Sequence, residues 1–64
     1  MKVRDVLKRL VDEGWYVARQ RGSHRQLKHP TKPGAVTVAG RPGTDVPIGT
    51  LDSIFVQAGW KDKP

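Results

Sequence analysis

The dipeptide Gly22-Ser23 constrains this chain more than any other feature. It separates two runs, residues 15–21 and 24–29, that contain neither glycine nor proline. Glycine at the first central position of a two-residue loop suits a type II′ turn, whose twist matches that of the strands it joins. The spacing therefore predicts a β-hairpin and sets its register: Arg21 opposite His24, Gln20 opposite Arg25, Arg19 opposite Gln26, Ala18 opposite Leu27, Val17 opposite Lys28 and Tyr16 opposite His29. Opposed residues share a face, and faces alternate along a strand. Leu27 is the most apolar residue of its strand, so its face is expected to be the core face, with Ala18 and Tyr16 beside it. The open face is then expected to carry Arg19, Arg21, His24, Gln26 and Lys28.

The rest of the chain reads as partners for that hairpin. Val3, Val6, Leu7, Leu10 and Val11 recur at helical spacing and predict an amphipathic helix over residues 2–13, stopped by Gly14. Pro30 ends the second strand, residues 31–34 form a turn by composition, and residues 35–39 form a short third strand. Ile48, Leu51, Ile54, Phe55 and Ala58 mark a second helix that opens after Pro47 and stops at Gly59, with Trp60 folding back over its end. Trp15 and Trp60 lie at element ends and are expected to cap the core. Residues 61–64 are expected to be a frayed tail. The order is α-β-β-β-α, an α+β fold. The simplest packing places both helices on one face of a three-stranded antiparallel sheet and leaves the other face to solvent.

Sixty-four residues make one domain, residues 1–64, which buries only roughly 60% of its unfolded surface. A site on such a chain must lie on an open face. Without cysteine there are no disulfides and no thiolate metal ligands. No apolar run is long enough to span a membrane, no signal-peptide core is visible, and a cytoplasmic protein is expected.

The formal net charge of +6 is distributed unevenly. Between Gly14 and Thr44 lie Arg19, Arg21, Arg25, Lys28, Lys32 and Arg41 with no acidic residue, whereas the flanks balance. Solubilising charge has no reason to be confined in this way. A basic stretch on one hairpin favours a polyanion, with its cations on phosphates.

His24 stands among those cations. A neutral imidazole can take a proton near pH 7, which makes His24 a candidate general base. On spacing alone, an ordinary strand histidine reads the same way. His29 points to the core side and precedes a proline, which suits a structural role, hydrogen-bonded or packed on Tyr16. The two histidines lie on opposite faces with no carboxylate near, so they do not form a metal site.

From Gly22-Ser23-His24 outward the chain resembles the HicA-type mRNA interferase toxins of bacterial type II toxin–antitoxin pairs. The resemblance runs through Gly14-Trp15, Arg21-Gly22-Ser23-His24, Lys28-His29-Pro30, Val36-Thr37-Val38, Gly49-Thr50-Leu51 and Gln57-Ala58-Gly59. It implies a fold similar to a double-stranded-RNA-binding domain and ribonucleolytic cleavage of mRNA. It places the family's essential histidine at His24. The implied partner is a HicB-type antitoxin that covers the site. The family often has a second histidine next in sequence, where this chain has Arg25. On this reading Arg19, Arg21, Ser23, Arg25, Gln26 and Lys28 bind RNA, no metal or cofactor is needed, and the general acid is left open.

Two other readings share the same charge pattern. A pure double-stranded-RNA-binding module typically carries lysines at the start of its second helix, where this chain has Pro47-Ile48-Gly49-Thr50. An inactive homologue acting only through protein binding would tolerate loss of His24.

Overall fold

The computed structural model describes residues 1–62. Helix α1 (Val3–Asp12) leads into strands β1 (Tyr16–Arg21), β2 (His24–Lys28) and β3 (Val36–Ala39), and helix α2 (Ile48–Gln57) follows. The strands form one antiparallel sheet in the order β1-β2-β3, with β2 in the centre. Val3, Val6 and Leu10 of α1 and Ile54 and Ala58 at α2 pack with Leu27, Val36 and Val38 of the sheet, closed off by Trp15 and Val46. Both helices thus lie on one face. None of the six residues of β1 is buried, so the helices cover β2 and β3 and leave β1 as an uncovered edge.

Both helices end by the same device. Gly14 (φ +97°) follows the C-cap Glu13; its N–H donates to Val11 O, and the Trp15 N–H donates to Leu10 O. At α2 the Gly59 N–H donates to Val56 O and the Trp60 N–H to Phe55 O. Each is a Schellman motif, in which a left-handed residue lets the chain turn back and satisfy the last carbonyls. The tryptophan after each glycine supplies the apolar contact. Trp15 is buried with Leu10, and the Trp60 ring meets Phe55 edge-on at 5.1 Å. Burying a ring as large as Trp15 is worth about 4–6 kcal/mol. That exceeds the roughly 1–3 kcal/mol cost of its indole N–H, which has no acceptor among the described residues.

The start of α1 has no side-chain cap. Its first N–H groups are taken by the loop after β3, Val3 N–H by Thr44 O (2.9 Å) and Arg4 N–H by Pro42 O (3.1 Å). A β-bridge between Lys2 and Asp45 continues this tie, with the Val46 N–H on Met1 O. The loop is therefore fastened to the first helix, which holds the end of β3 in place.

Glu13 links α1 to the segments that follow β2 and α2. Its carboxylate accepts from Arg9 Nε (3.2 Å) and from the Trp60 indole (2.7 Å), while Arg9 lies 4.0 Å above the Trp60 ring. Its main-chain oxygen accepts from His29 Nε2 at 2.9 Å. The Trp60 hydrogen bond, opposed by burial and aided by the Arg9 hydrogen bond and charge and the charge of Lys32, holds the Glu13 carboxyl below its ordinary value of 4.5. A depressed carboxylate stabilises the fold above its unfolded pKa, and this contribution is lost as pH falls through the folded value. The urea midpoint is expected to fall between neutral pH and about pH 3. In Trp60→Phe, which lacks the indole donor, that acid-side slope should flatten; an unchanged slope would remove Glu13 from the account.

Several details differ from the sequence-based expectation. The expected hairpin register holds for Arg21–His24, Gln20–Arg25 and Arg19–Gln26 and then slips by one. An irregularity between Val17 and Arg19 puts Val17 opposite Leu27 and Tyr16 opposite Lys28, so Ala18 is the extra residue of a β-bulge. Tyr16, 50% exposed, therefore shares the open face with Lys28 rather than lying on the core side. The physical reason is Trp15. Adjacent strand residues face opposite ways, so Trp15 and Tyr16 cannot both be buried, and the larger apolar ring takes the core. His29 accordingly packs on Trp15, edge-on at 5.3 Å, and not on Tyr16. Val11 and Ile48 are exposed at the margins of the helical stripes expected to be buried. Lys61 of the expected frayed tail is ion-paired with Asp52, while residues 63–64 lie outside the described residues.

Candidate active site

The open face is a grid with β2 down its middle. Its first row is Arg21, His24 and Ala39, taken from β1, β2 and β3 in turn. The second is Arg19, Gln26 and Thr37. The third is Tyr16 and Lys28, beyond the start of β3. Rows lie about 7 Å apart, two residues of antiparallel strand. Alternation sends Leu27, Val36 and Val38 into the core beneath them. The buried apolar residues of β2 and β3 thus fix which side chains face outward.

An open groove of about 210 Å³ runs over the first two rows, lined by Arg19, Arg21, His24, Arg25, Gln26 and Thr37. His24 is exposed on the central strand, directly after the Gly22-Ser23 turn. Gly22 has φ +55° and Ser23 has no positive φ, the pattern of a type II′ turn. Ala39 presents only a methyl group beside the imidazole, which leaves that flank open. Among the described residues no hydrogen bond engages the His24 ring, in contrast to His29. There Nδ1 accepts the Thr31 N–H (3.1 Å) and the Lys32 N–H (3.3 Å), so Nε2 carries the proton donated to Glu13 O. One histidine is fully committed to the fold, and the other keeps both ring nitrogens unengaged among the described residues.

The cations divide in the same way. The four ion pairs among the described residues are Lys2–Asp45, Lys8–Asp12, Arg9–Glu13 and Lys61–Asp52, all involving flanking cations. Such surface pairs contribute little to stability. They do occupy four of the chain's six acidic side chains. Arg19, Arg21 and Lys28 have no ion-pair partner among the described residues. The positive field over the groove is therefore uncompensated.

Arg25 sits differently from the other site residues. It is opposed to Gln20 and Val38, on the side away from His24, although it borders the groove. Its Nη1 donates to Ser23 O (3.3 Å) and Gly40 O (3.1 Å), and Ser23 O also accepts the Gly40 N–H (3.2 Å). Ser23 does not line the groove; its carbonyl is a node that ties the turn to the end of β3. A guanidinium carries five N–H donors, so the others on Arg25 stay uncommitted.

Thr37, Ala39 and Tyr16 were not among the residues picked out from the sequence. The first two could have been found from alternation, since Val36 and Val38 bracket Thr37. Tyr16 was hidden by the bulge. Among the described residues no three of His, Asp, Glu or Cys gather as a metal site would require. No helix of the described residues is long and apolar enough to cross a membrane.

The family model for the HicA toxin of bacterial toxin–antitoxin systems matches residues 3–60. A search of curated proteins found no match.

Proposed function

Because this chain belongs to the HicA toxin family of bacterial toxin–antitoxin systems, we propose that it is a metal-independent endoribonuclease that cleaves mRNA with His24 as general base. The observation that carries the reading is the first row of the sheet. Among the described residues, an imidazole free of hydrogen bonds stands beside Arg21, in a groove whose other exposed cations have no counter-ions.

The RNA lies along β2 with its phosphates over the groove. His24 removes the proton from a ribose 2′-OH. The 2′-oxygen forms a bond to the adjacent phosphorus, the bond from phosphorus to the 5′-oxygen breaks, and a 2′,3′-cyclic phosphate remains. Arg21 is the direct cross-strand neighbour of His24, with its Cα about 5 Å away. It meets the charge that accumulates on the phosphorane oxygens, a preorganised electrostatic role. Arg19 supports it from the second row. Lys28 lies four residues along the strand from His24, about 13 Å, and holds a neighbouring phosphate. No carboxylate and no second imidazole lines the groove, so the departing 5′-oxygen takes its proton from solvent, which the open groove admits. The need for a 2′-OH gives RNA specificity without a deep pocket.

The antitoxin of the pair is proposed to be a HicB-type protein that lays acidic side chains over this face and excludes RNA. Cleavage of a labelled mRNA in EDTA tests the chemical scheme. The expected result is cutting without added metal, with cyclic phosphate at the new 3′ ends and no cutting where a deoxynucleotide replaces the nucleotide bearing the attacking hydroxyl. An obligatory requirement for magnesium, or cutting at the deoxynucleotide, would overturn it.

A further inference from the structure

We propose that Tyr16 is a base-stacking platform that makes this face select single-stranded RNA. The inference rests on the ribonuclease reading above and extends it to the form of the substrate.

The bulge between Val17 and Arg19 brings Tyr16 onto the open face opposite Lys28, in the same face as His24 and Gln26. Without the bulge Tyr16 would alternate to the other side. The ring is half exposed. The aromatic contacts among the described residues, Trp15 with His29 and Phe55 with Trp60, do not involve it. Neither does its hydroxyl take part in a hydrogen bond among these residues. A large aromatic side chain thus stands free on a sheet surface, about two rows from the imidazole.

Its neighbour sets the chemistry of what would lie on it. Directly opposed side chains on one face have Cβ atoms about 5 Å apart, so Lys28 stands next to the ring. A ring that accepts a base and an ammonium that accepts a phosphate together fit one nucleotide. The first two rows bear two arginines, an imidazole, one amide and a hydroxyl, which can hold phosphates and cannot tell one strand from two. A base face is available to Tyr16 only when the base is unpaired and splayed from its stack. The tyrosine is therefore the element of the face that separates single strand from duplex.

The test uses the native chain and a short single-stranded RNA whose cut position has been mapped, made uncleavable by a 2′-O-methyl group at that nucleotide. Tyr16→Ala is expected to weaken binding by about five- to 150-fold, the range found for loss of one aromatic–base stack. Binding to a duplex of the same sequence should not change. An abasic nucleotide scanned across the positions around the cut should weaken the native chain at one position, and at that position should not weaken Tyr16→Ala further. Tyr16→Phe keeps the ring and should keep the preference for single strands. Equal losses on single strand and duplex, or additive losses from the abasic site and the substitution, would overturn the stacking role. If the native chain cuts RNA and Tyr16→Ala binds it normally, stacking alone fails. If the native chain neither binds nor cuts RNA, the ribonuclease reading fails and takes this inference with it.

Discussion

His24→Ala is expected to abolish RNA cleavage while leaving the fold intact. Removal of a positioned general base typically costs about 10²- to 10⁴-fold in rate. Nothing else in the groove can take over the proton, since its other polar side chains are cations, an amide and a hydroxyl. The loss should therefore lie at the upper end of that range. Stability should hardly change, because His24 is exposed and its ring makes no hydrogen bond among the described residues. His29→Ala is the informative contrast. It breaks the bond to Glu13 O and the two bonds from Thr31 and Lys32, and it strips the ring from Trp15. That variant should melt at a lower temperature yet retain the turnover of whatever fraction is folded. The check is single-turnover cleavage in EDTA beside thermal melts for both variants. Native-like cleavage by His24→Ala would remove the imidazole from the mechanism. Loss of turnover in well-folded His29→Ala would move the chemistry to the other histidine.

The contrast between the two histidines also shows what local patterns disclose. Parity along β2 depends only on alternation from Leu27, so it placed His24, Gln26 and Lys28 on the open face and needed no tertiary information. The Gly22-Ser23 turn fixed the first three pairs of the hairpin because a two-residue loop leaves no slack. Beyond Arg19 the local rule failed, because the register was decided by competition between Trp15 and Tyr16 for the core. That competition depends on the space beneath the sheet, which is a property of the packed helices. Arg25 illustrates a second limit. Its charge suggested phosphate binding as strongly as that of Arg21, and alternation already set it off the open face but could not say what it would meet there. Its bond to Gly40 O spans fifteen positions along the chain, a closeness that only the paired strands create. Partnering of charges is equally invisible in composition. The flanks balance in number, but it is folding that pairs Lys2 with Asp45 across the chain and leaves the hairpin cations alone.

Gly14→Ala is expected to be the most damaging of the glycine-to-alanine changes. Gly14 has φ +97°, where a residue with a Cβ is strained by about 1–3 kcal/mol. An added Cβ would also lie 2.9 Å from His29 Nε2, the atom that donates to Glu13 O. Relieving that clash means moving the ring, with loss of a hydrogen bond worth about 1 kcal/mol and of its packing on Trp15. The sum, about 2–4 kcal/mol, is a large share of the roughly 3–10 kcal/mol that a chain of this length has in total. A fall in Tm of about 10–30 °C follows. Gly34 provides the control. It too has a positive φ, +81°, but nothing lies within 4 Å of an added Cβ, so Gly34→Ala carries the backbone strain alone. Thermal and urea melts of the two variants separate the terms. If they lose equal stability, the close approach of His29 contributes nothing. The same point can be reached from the other side. Combining Gly14→Ala with His29→Ala removes the ring that the methyl group strikes, so the double variant should lose less than the sum of the single losses. Strict additivity would mean that the glycine is required by its backbone conformation and not by the histidine packed against it.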